Sequence, residues 1–213
     1  MPIEIKIEDI PEIELSIWKV TEPESYFEDK LDIHKAEEEI IDKLSNRKKL
    51  EWLSSRYLLH LMSGRTSRGE FVKDIHGKPH LNDSDYHISI SHSNNHICVI
   101  ASKKLVGIDI QTYVTKIGRI RHKFVSEDED QYVNDADPIK ALHIIWGAKE
   151  SLYKAYGKRG LGFISHMRIW SLDAYNNTGT FKGKIIKEDY EKEFDLVYHT
   201  FEEYILVYAK ESN

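Results

Sequence analysis

The residues best suited to chemistry lie in the run Trp146-Gly147-Ala148-Lys149-Glu150-Ser151-Leu152-Tyr153-Lys154. On a helix, positions four apart share a face, so Trp146, Glu150 and Lys154 stack one turn above another. That stripe offers a carboxylate able to hold a metal and a cation able to hold a phosphate, both on a rigid element. Lys149 is expected beside Glu150 on the helix surface. Taken alone, Glu150 and Lys154 would be an ordinary surface ion pair worth ~0.3–0.5 kcal/mol. Their meaning depends on what the rest of the chain sets opposite them.

Leu105-Val106-Gly107-Ile108-Asp109-Ile110-Gln111 alternates apolar and polar residues. That is the pattern of a half-buried strand with Gly107, Asp109 and Gln111 on one face. Asp is a poor strand former, so Asp109 inside a β-branched run asks for a reason. Pairing with Glu150 around a hard cation is such a reason, because Mg²⁺ takes one or two carboxylates and completes its octahedron with water and phosphate. The alternative is an exposed strand face. A third segment, His87-Ile88-Ser89-Ile90-Ser91-His92-Ser93-Asn94-Asn95-His96, reads as strand and polar turn, with a second strand following through Ala101. Its hydroxyls, amides and imidazole can hydrogen-bond phosphate, or can merely satisfy the turn's own backbone.

These segments, in this order, resemble the Sfp-type 4′-phosphopantetheinyl transferases. The resemblance rests on Ser91-His92-Ser93, on Gly107-Ile108-Asp109-Ile110-Gln111, and on Trp146 through Lys154. Gly77-Lys78-Pro79 and the Arg56 helix (Ser54-Ser55-Arg56-Tyr57-Leu58-Leu59) match further family elements. Each motif is weak by itself; the ordered set of five is specific. One departure stands out: many members carry Glu where this chain has Gln111, which removes one negative charge from the metal site.

The resemblance implies an α+β fold of two similar helix-plus-antiparallel-sheet subdomains, residues 1–104 and 105–213, related by a pseudo-twofold with the active site in the cleft between them. It implies transfer of the 4′-phosphopantetheine arm of coenzyme A to a serine hydroxyl of an apo acyl or peptidyl carrier protein, releasing 3′,5′-ADP. Asp109, Glu150 and Gln111, the last directly or through water, would hold Mg²⁺. Lys154 would meet the pyrophosphate, and Ser91 and His92 would bond the phosphates. Arg56 and Lys78 would contact coenzyme A phosphates, Lys78 the ribose 3′-phosphate. Glu150, Lys154 and His92 are the expected catalytic residues, with Glu150 or a metal-bound water as proton acceptor. Two rival readings are a two-carboxylate Mg²⁺ nuclease or nucleotide phosphohydrolase, and a non-catalytic binding module. The nuclease pattern sets Glu and Lys two apart on a strand, whereas Lys149 and Glu150 are adjacent on an expected helix.

The whole chain suits a cytoplasmic enzyme. At 213 residues it can form one large domain or two small ones. Its net charge of -6 gives no general attraction to nucleic acid. No apolar run reaches the ~18 residues of a membrane span, and the alternating start Ile3-Glu4-Ile5-Lys6-Ile7 reads as a strand, not a signal peptide. The single cysteine, Cys98, excludes an internal disulfide and is expected to pack in an apolar strand. Two halves in one chain can build a cleft within a monomer.

Charge is uneven. Lys116, Arg119, Arg121 and Lys123 fall in eight residues without an acid, and Ile117, Ile120 and Phe124 share their helical spacing. This segment is the expected dock for an acidic carrier protein, or else a solvated helix face. The acidic run Glu127-Asp128-Glu129-Asp130 follows, with Ser126 expected to cap a helix over 126–134.

The remaining pattern predicts strands at 3–7 and 13–20, a short helix at 24–30, and two helices over 34–64 broken near Ser45-Asn46. Short strands in a loop follow at 65–80, a hairpin at 86–92 and 96–102, and a strand at 105–111. A long helix over 138–156 runs from Asp137-Pro138 to Gly157. Strands at 166–173, 179–187, 194–200 and 203–210 close the chain. Trp52 to Gly64 and Trp146 to Gly157 form a faint repeat of helix endings.

Overall fold

A computed structural model describes residues 3–7, 12–82, 84–134 and 137–213. The fold is α+β, mixing helices with antiparallel sheets. In chain order the elements are β1 (Ile3–Ile7), β2 (Glu14–Lys19), α1 (Glu24–Glu28), α2 (Lys35–Ile41), α3 (Asn46–Ser63), β3 (Phe71–Lys73), β4 (Pro79–Leu81), β5 (His87–Ser93), β6 (His96–Ser102) and β7 (Val106–Thr112). A 3₁₀ helix (Thr115–Lys123) follows, then α4 (Asp130–Asn134), α5 (Pro138–Tyr156), β8 (Met167–Trp170), β9 (Thr178–Lys187), β10 (Tyr190–Thr200) and β11 (Tyr204–Glu211).

The strands form a four-stranded sheet in the order β1-β2-β6-β5 and a five-stranded sheet in the order β7-β11-β10-β9-β8, while β3 and β4 pair alone. The two larger sheets meet through Leu15, Ile17, Cys98 and Ile100 on one side and Val106, Ile108, Ile110, Leu206 and Tyr208 on the other. Leu53, Leu58 and Leu59 of α3 close a second core with Trp18, Ile88, Ile97 and Val99. Ile144, Ala148 and Leu152 of α5 close a third with Ile185, Leu196 and Val207. Cys98 is fully buried, and burial pushes its thiol pKa up, as suits a packing residue.

The two long helices stop where their sequences say they should. Gly64 after α3 and Gly157 after α5 take φ of 61° and 72°, the left-handed region open to glycine. At the start of α5, Asp137 accepts hydrogen bonds from the backbone N–H groups of Ile139 and Lys140, and Pro138 occupies the first turn. The β5–β6 hairpin turns at Asn94-Asn95, with Asn94 at φ 50°.

Three local expectations change. The acidic run does not open a helix at Ser126: helix begins only at Asp130. The Ser126 hydroxyl has no hydrogen-bond partner among the described residues, while its N–H donates to Glu129 Oε2 at 3.0 Å. The basic run is a 3₁₀ helix whose Ile117, with Phe124 just beyond its end, packs into the core. The strand expected at 166–173 is confined to Met167–Trp170.

Serine side chains join the two larger sheets at one edge. β7 is an edge strand, and the N–H groups of Ile108, Ile110 and Thr112 donate to the hydroxyls of Ser89, Ser91 and Ser93 at 3.2, 3.3 and 3.2 Å. Alternate residues of β5 share a face, so one run of serines stands in for a neighbouring strand and satisfies amides that would otherwise be unpaired.

Candidate active site

The polar face of β7 carries Gly107, Asp109 and Gln111, as its alternation requires, and α5 lies across it. Glycines allow the close approach. A Cβ on Gly147 of α5 would stand 2.7 Å from Val207 Cγ2 and 3.0 Å from Gln111 Nε2. Within residues 141–152 of α5 only Trp146 and Glu150 escape full burial, and Lys154 is half-buried one turn further on. The stripe read from the sequence is thus the open edge of this helix.

At its centre the Lys154 ammonium meets three acceptors: Ser91 Oγ at 2.8 Å, the Ile108 carbonyl at 2.9 Å and Asp109 Oδ1 at 2.8 Å. An ammonium has three hydrogens, so it is fully satisfied here. Asp109 is 7% exposed and also accepts from Ser91 Oγ at 3.1 Å and, on Oδ2, from Gln111 Nε2 at 3.3 Å. Burial and the nearby Asp109 carboxylate raise the Glu150 pKa, with Lys154 opposing. Glu150 and Asp109 are therefore close enough to sense each other.

Gln111 was expected among the metal ligands. As folded, its amide nitrogen donates to Asp109 and, at 3.0 Å, to the His143 carbonyl. Both partners are acceptors, which makes the nitrogen the inward group. Gln111 here braces Asp109 through its amide nitrogen. Among the described residues no three His, Cys, Asp or Glu side chains gather as a metal cluster. Two carboxylates from two elements still fit Mg²⁺, whose remaining positions go to water and substrate oxygens.

Lys78 approaches from the β3–β4 turn. Its ammonium donates to the Ala155 carbonyl of α5 at 2.7 Å, and burial lowers its pKa. With Lys154, Lys158, Arg159 and His76 it lines a pocket of about 190 Å³ that has no acidic residue in its wall. The sequence reading missed Lys158 and Arg159. They directly follow the Gly157 helix stop, which was the available signal.

Other expected residues lie elsewhere. Strand alternation sends His92 away from Ser91, to where its Nδ1 is 3.4 Å from Glu51 Oε1, so it does not join the Asp109–Glu150–Lys154 cluster. Arg56 folds back on α3, 7% exposed, with its guanidinium 3.7 Å from the Trp52 ring centroid and 4.7 Å from that of Phe71. Burial lowers its pKa to about 9, and it lines no part of the pocket that holds Lys78.

Lys149 is the clearest correction. It is not on the helix surface but fully buried, with its ammonium 2.6 Å from Glu129 Oε1 and 2.9 Å from the Met167 carbonyl. Glu129, also fully buried, accepts from the Ile169 N–H at 3.0 Å. Position 149 lies one residue from the open stripe, a rotation of about 100° that carries it into the core. The acid expected in the first turn of a helix is thereby its partner.

The stretch from β7 to β11, residues 105–209, matches the family model of the 4′-phosphopantetheinyl transferase superfamily. The chain belongs to that superfamily. No curated protein matches it. The chain is thus a transferase of a family that uses coenzyme A as substrate. The matched stretch contains Asp109, Gln111, Glu150 and Lys154, whereas Arg56, Lys78, Ser91 and His92 lie before it. No described helix of the transferase is long and apolar enough to cross a membrane.

Proposed function

We propose that this transferase is of the Sfp type and moves the 4′-phosphopantetheine arm of coenzyme A onto a serine hydroxyl of an acidic acyl or peptidyl carrier protein, in a Mg²⁺-dependent reaction. The observation that carries the reading is the convergence of Asp109, Glu150 and Lys154 beside an acid-free pocket lined by Lys78, Lys158 and Arg159. A pocket with that wall suits a polyanion, and the ADP portion of coenzyme A is one. Residues 1–104 and 105–213 form the two halves of the cleft on this reading, related by a pseudo-twofold.

The reaction is a displacement at phosphorus. The carrier serine oxygen forms a bond to the phosphorus bearing the pantetheine arm, and the bond from that phosphorus to the bridging oxygen breaks. The electron pair leaves with 3′,5′-ADP. Such a step needs positioning and charge neutralisation more than covalent help. Lys154 acts on the pyrophosphate as a fixed point charge, its three hydrogens staying on Ser91, the Ile108 carbonyl and Asp109, and Lys78 holds the ribose 3′-phosphate. Glu150 takes the serine proton. Asp109 and Glu150 would hold the metal, which when bound neutralises charge on the phosphate oxygens. The hydrolase alternative loses ground because Lys149, the cation adjacent to Glu150, is buried and paired.

The test is incubation of the protein with coenzyme A, Mg²⁺ and an apo carrier protein, followed by mass spectrometry of the carrier. A mass gain equal to the phosphopantetheine arm is expected, and its absence with both Asp109→Ala and Glu150→Ala. Hydrolysis of coenzyme A without carrier modification would favour the phosphohydrolase.

A further inference from the structure

Ser91 belongs to the motif that the family resemblance assigns to phosphate binding, yet its hydroxyl is already committed within the protein. It accepts from the Ile110 N–H at 3.3 Å and from Lys154 Nζ at 2.8 Å, and it donates to Asp109 Oδ1 at 3.1 Å. A hydroxyl has one hydrogen and two lone pairs, and all three are used. The residue is 5% exposed. No capacity remains for a substrate phosphate.

The neighbouring serine is the internal comparison. Ser93 Oγ accepts from the Thr112 N–H at 3.2 Å, the same rung one step along the strand. No contact of Ser93 reaches Asp109 or Lys154 among the described residues. Ser93 therefore does only the structural half of what Ser91 does. We propose that Ser91 is a positioning residue, fixing the Asp109 carboxylate and the Lys154 ammonium in one arrangement, and not a ligand of the substrate phosphates. The proposal rests on the phosphopantetheinyl transfer reading for its kinetic consequence but not for its geometry.

The physical case is preorganisation. Lys154 is a flexible side chain, and a point charge acts on a reacting phosphate only if it is held where charge develops. The Ile108 carbonyl and Asp109 supply two of its three acceptors, and Ser91 supplies the third. Removing the hydroxyl frees one ammonium hydrogen and one Asp109 lone pair together.

Two readouts separate this role from the alternatives. Ser91→Ala should lower kcat by about tenfold or more, a loss confined to the transition state, with the KM for coenzyme A within about twofold of wild type. Ser93→Ala should leave both within about twofold, with a fall in melting temperature no larger than that of Ser91→Ala. Ser91→Thr keeps the hydroxyl and should restore most of kcat. Independently of activity, the ¹⁵N signal of the Lys154 ammonium should show slowed hydrogen exchange in wild type and Ser93→Ala, and lose it in Ser91→Ala. A raised KM with kcat preserved would make Ser91 a phosphate ligand and overturn the proposal. So would a Lys154 signal unchanged by Ser91→Ala. A wild-type protein that modifies no carrier would sink the transfer reading, while the ammonium signal would still decide the role of Ser91.

Discussion

Gly107 of β7 lies directly under the backbone carbonyl of Ser151 on α5, so closely that a Cβ on Gly107 would stand 1.9 Å from that oxygen. The same atom would come within 2.7 Å of the Ala155 nitrogen. Gly107 thus does no chemistry of its own. It sets the distance between the strand that carries Asp109 and the helix that carries Glu150 and Lys154.

Gly107→Ala should accordingly act through the helix. The obstacle is backbone, which cannot swing aside, so a cost at or beyond the ~1–3 kcal/mol of ordinary overpacking is expected. Transfer activity should fall further than stability does, because a displaced α5 takes both site residues with it. Urea denaturation and steady-state kinetics on the same preparation check this. A variant as active and as stable as wild type would show that helix and strand separate freely.

The buried Lys149–Glu129 pair gives a second expectation. Lys149→Ala leaves a buried carboxylate without its cation and should cost ~3–5 kcal/mol. Combining Lys149→Met with Glu129→Leu should recover part of that loss, since both charges go together while the Ile169 N–H and the Met167 carbonyl lose their partners. A double-mutant cycle by chemical denaturation measures the coupling. Additive single losses would mean that the two groups do not depend on each other.

The β3–β4 turn that presents Lys78 should be acid-resistant. Asp74 is held well below its usual 3.8, at about 2, chiefly by His80, and then by the N–H groups of Lys78 and His76 against an opposing burial effect. Because the folded value lies below the unfolded one, the turn is stabilised above pH 3.8 and loses this support as pH falls through about 2. Amide exchange at His76 and Lys78 should stay slow down to that range and quicken below it. Asp74→Asn should exchange fast at every pH; equal protection in the variant would remove Asp74 from the account.

Carrier docking can be addressed at the 3₁₀ helix. Lys116 and Arg119 are exposed and line, with Gln111, Ile120 and Trp146, an apolar groove of about 350 Å³ beside the site. Arg121 is instead engaged by Asp130. Lys116→Glu with Arg119→Glu should raise the KM for an acidic carrier several-fold at low salt and flatten its salt dependence, leaving the KM for coenzyme A unchanged. Carrier KM values that match wild type at low salt would leave the groove without this partner.

Much of the site could be read directly from spacing. The period of two in Val106–Gln111 put Asp109 and Gln111 on one face, and the period of 3.6 put Glu150 and Lys154 on one edge of a helix. The Pro138 start and Gly157 stop bounded that helix, because both signals act through local backbone geometry. The acidic run misled for the converse reason: a solvated carboxylate and a buried, paired one look the same in a string of letters.

By itself the sequence determined most of the elements, the polar faces of β7 and α5, and the order of motifs, because these follow from local periodicity and local backbone preference. Only the tertiary structure decided which polar groups meet. It set His92 against Glu51, folded Arg56 into a core, set Gln111 to brace Asp109, and buried Lys149 against Glu129. Those outcomes depend on how elements far apart in the chain pack together. Lys154 and Ser91 are 63 residues apart in sequence and 2.8 Å apart in space. What brings them together is α5 pressed against β7 through glycine, and β7 joined to β5 through serine hydroxyls.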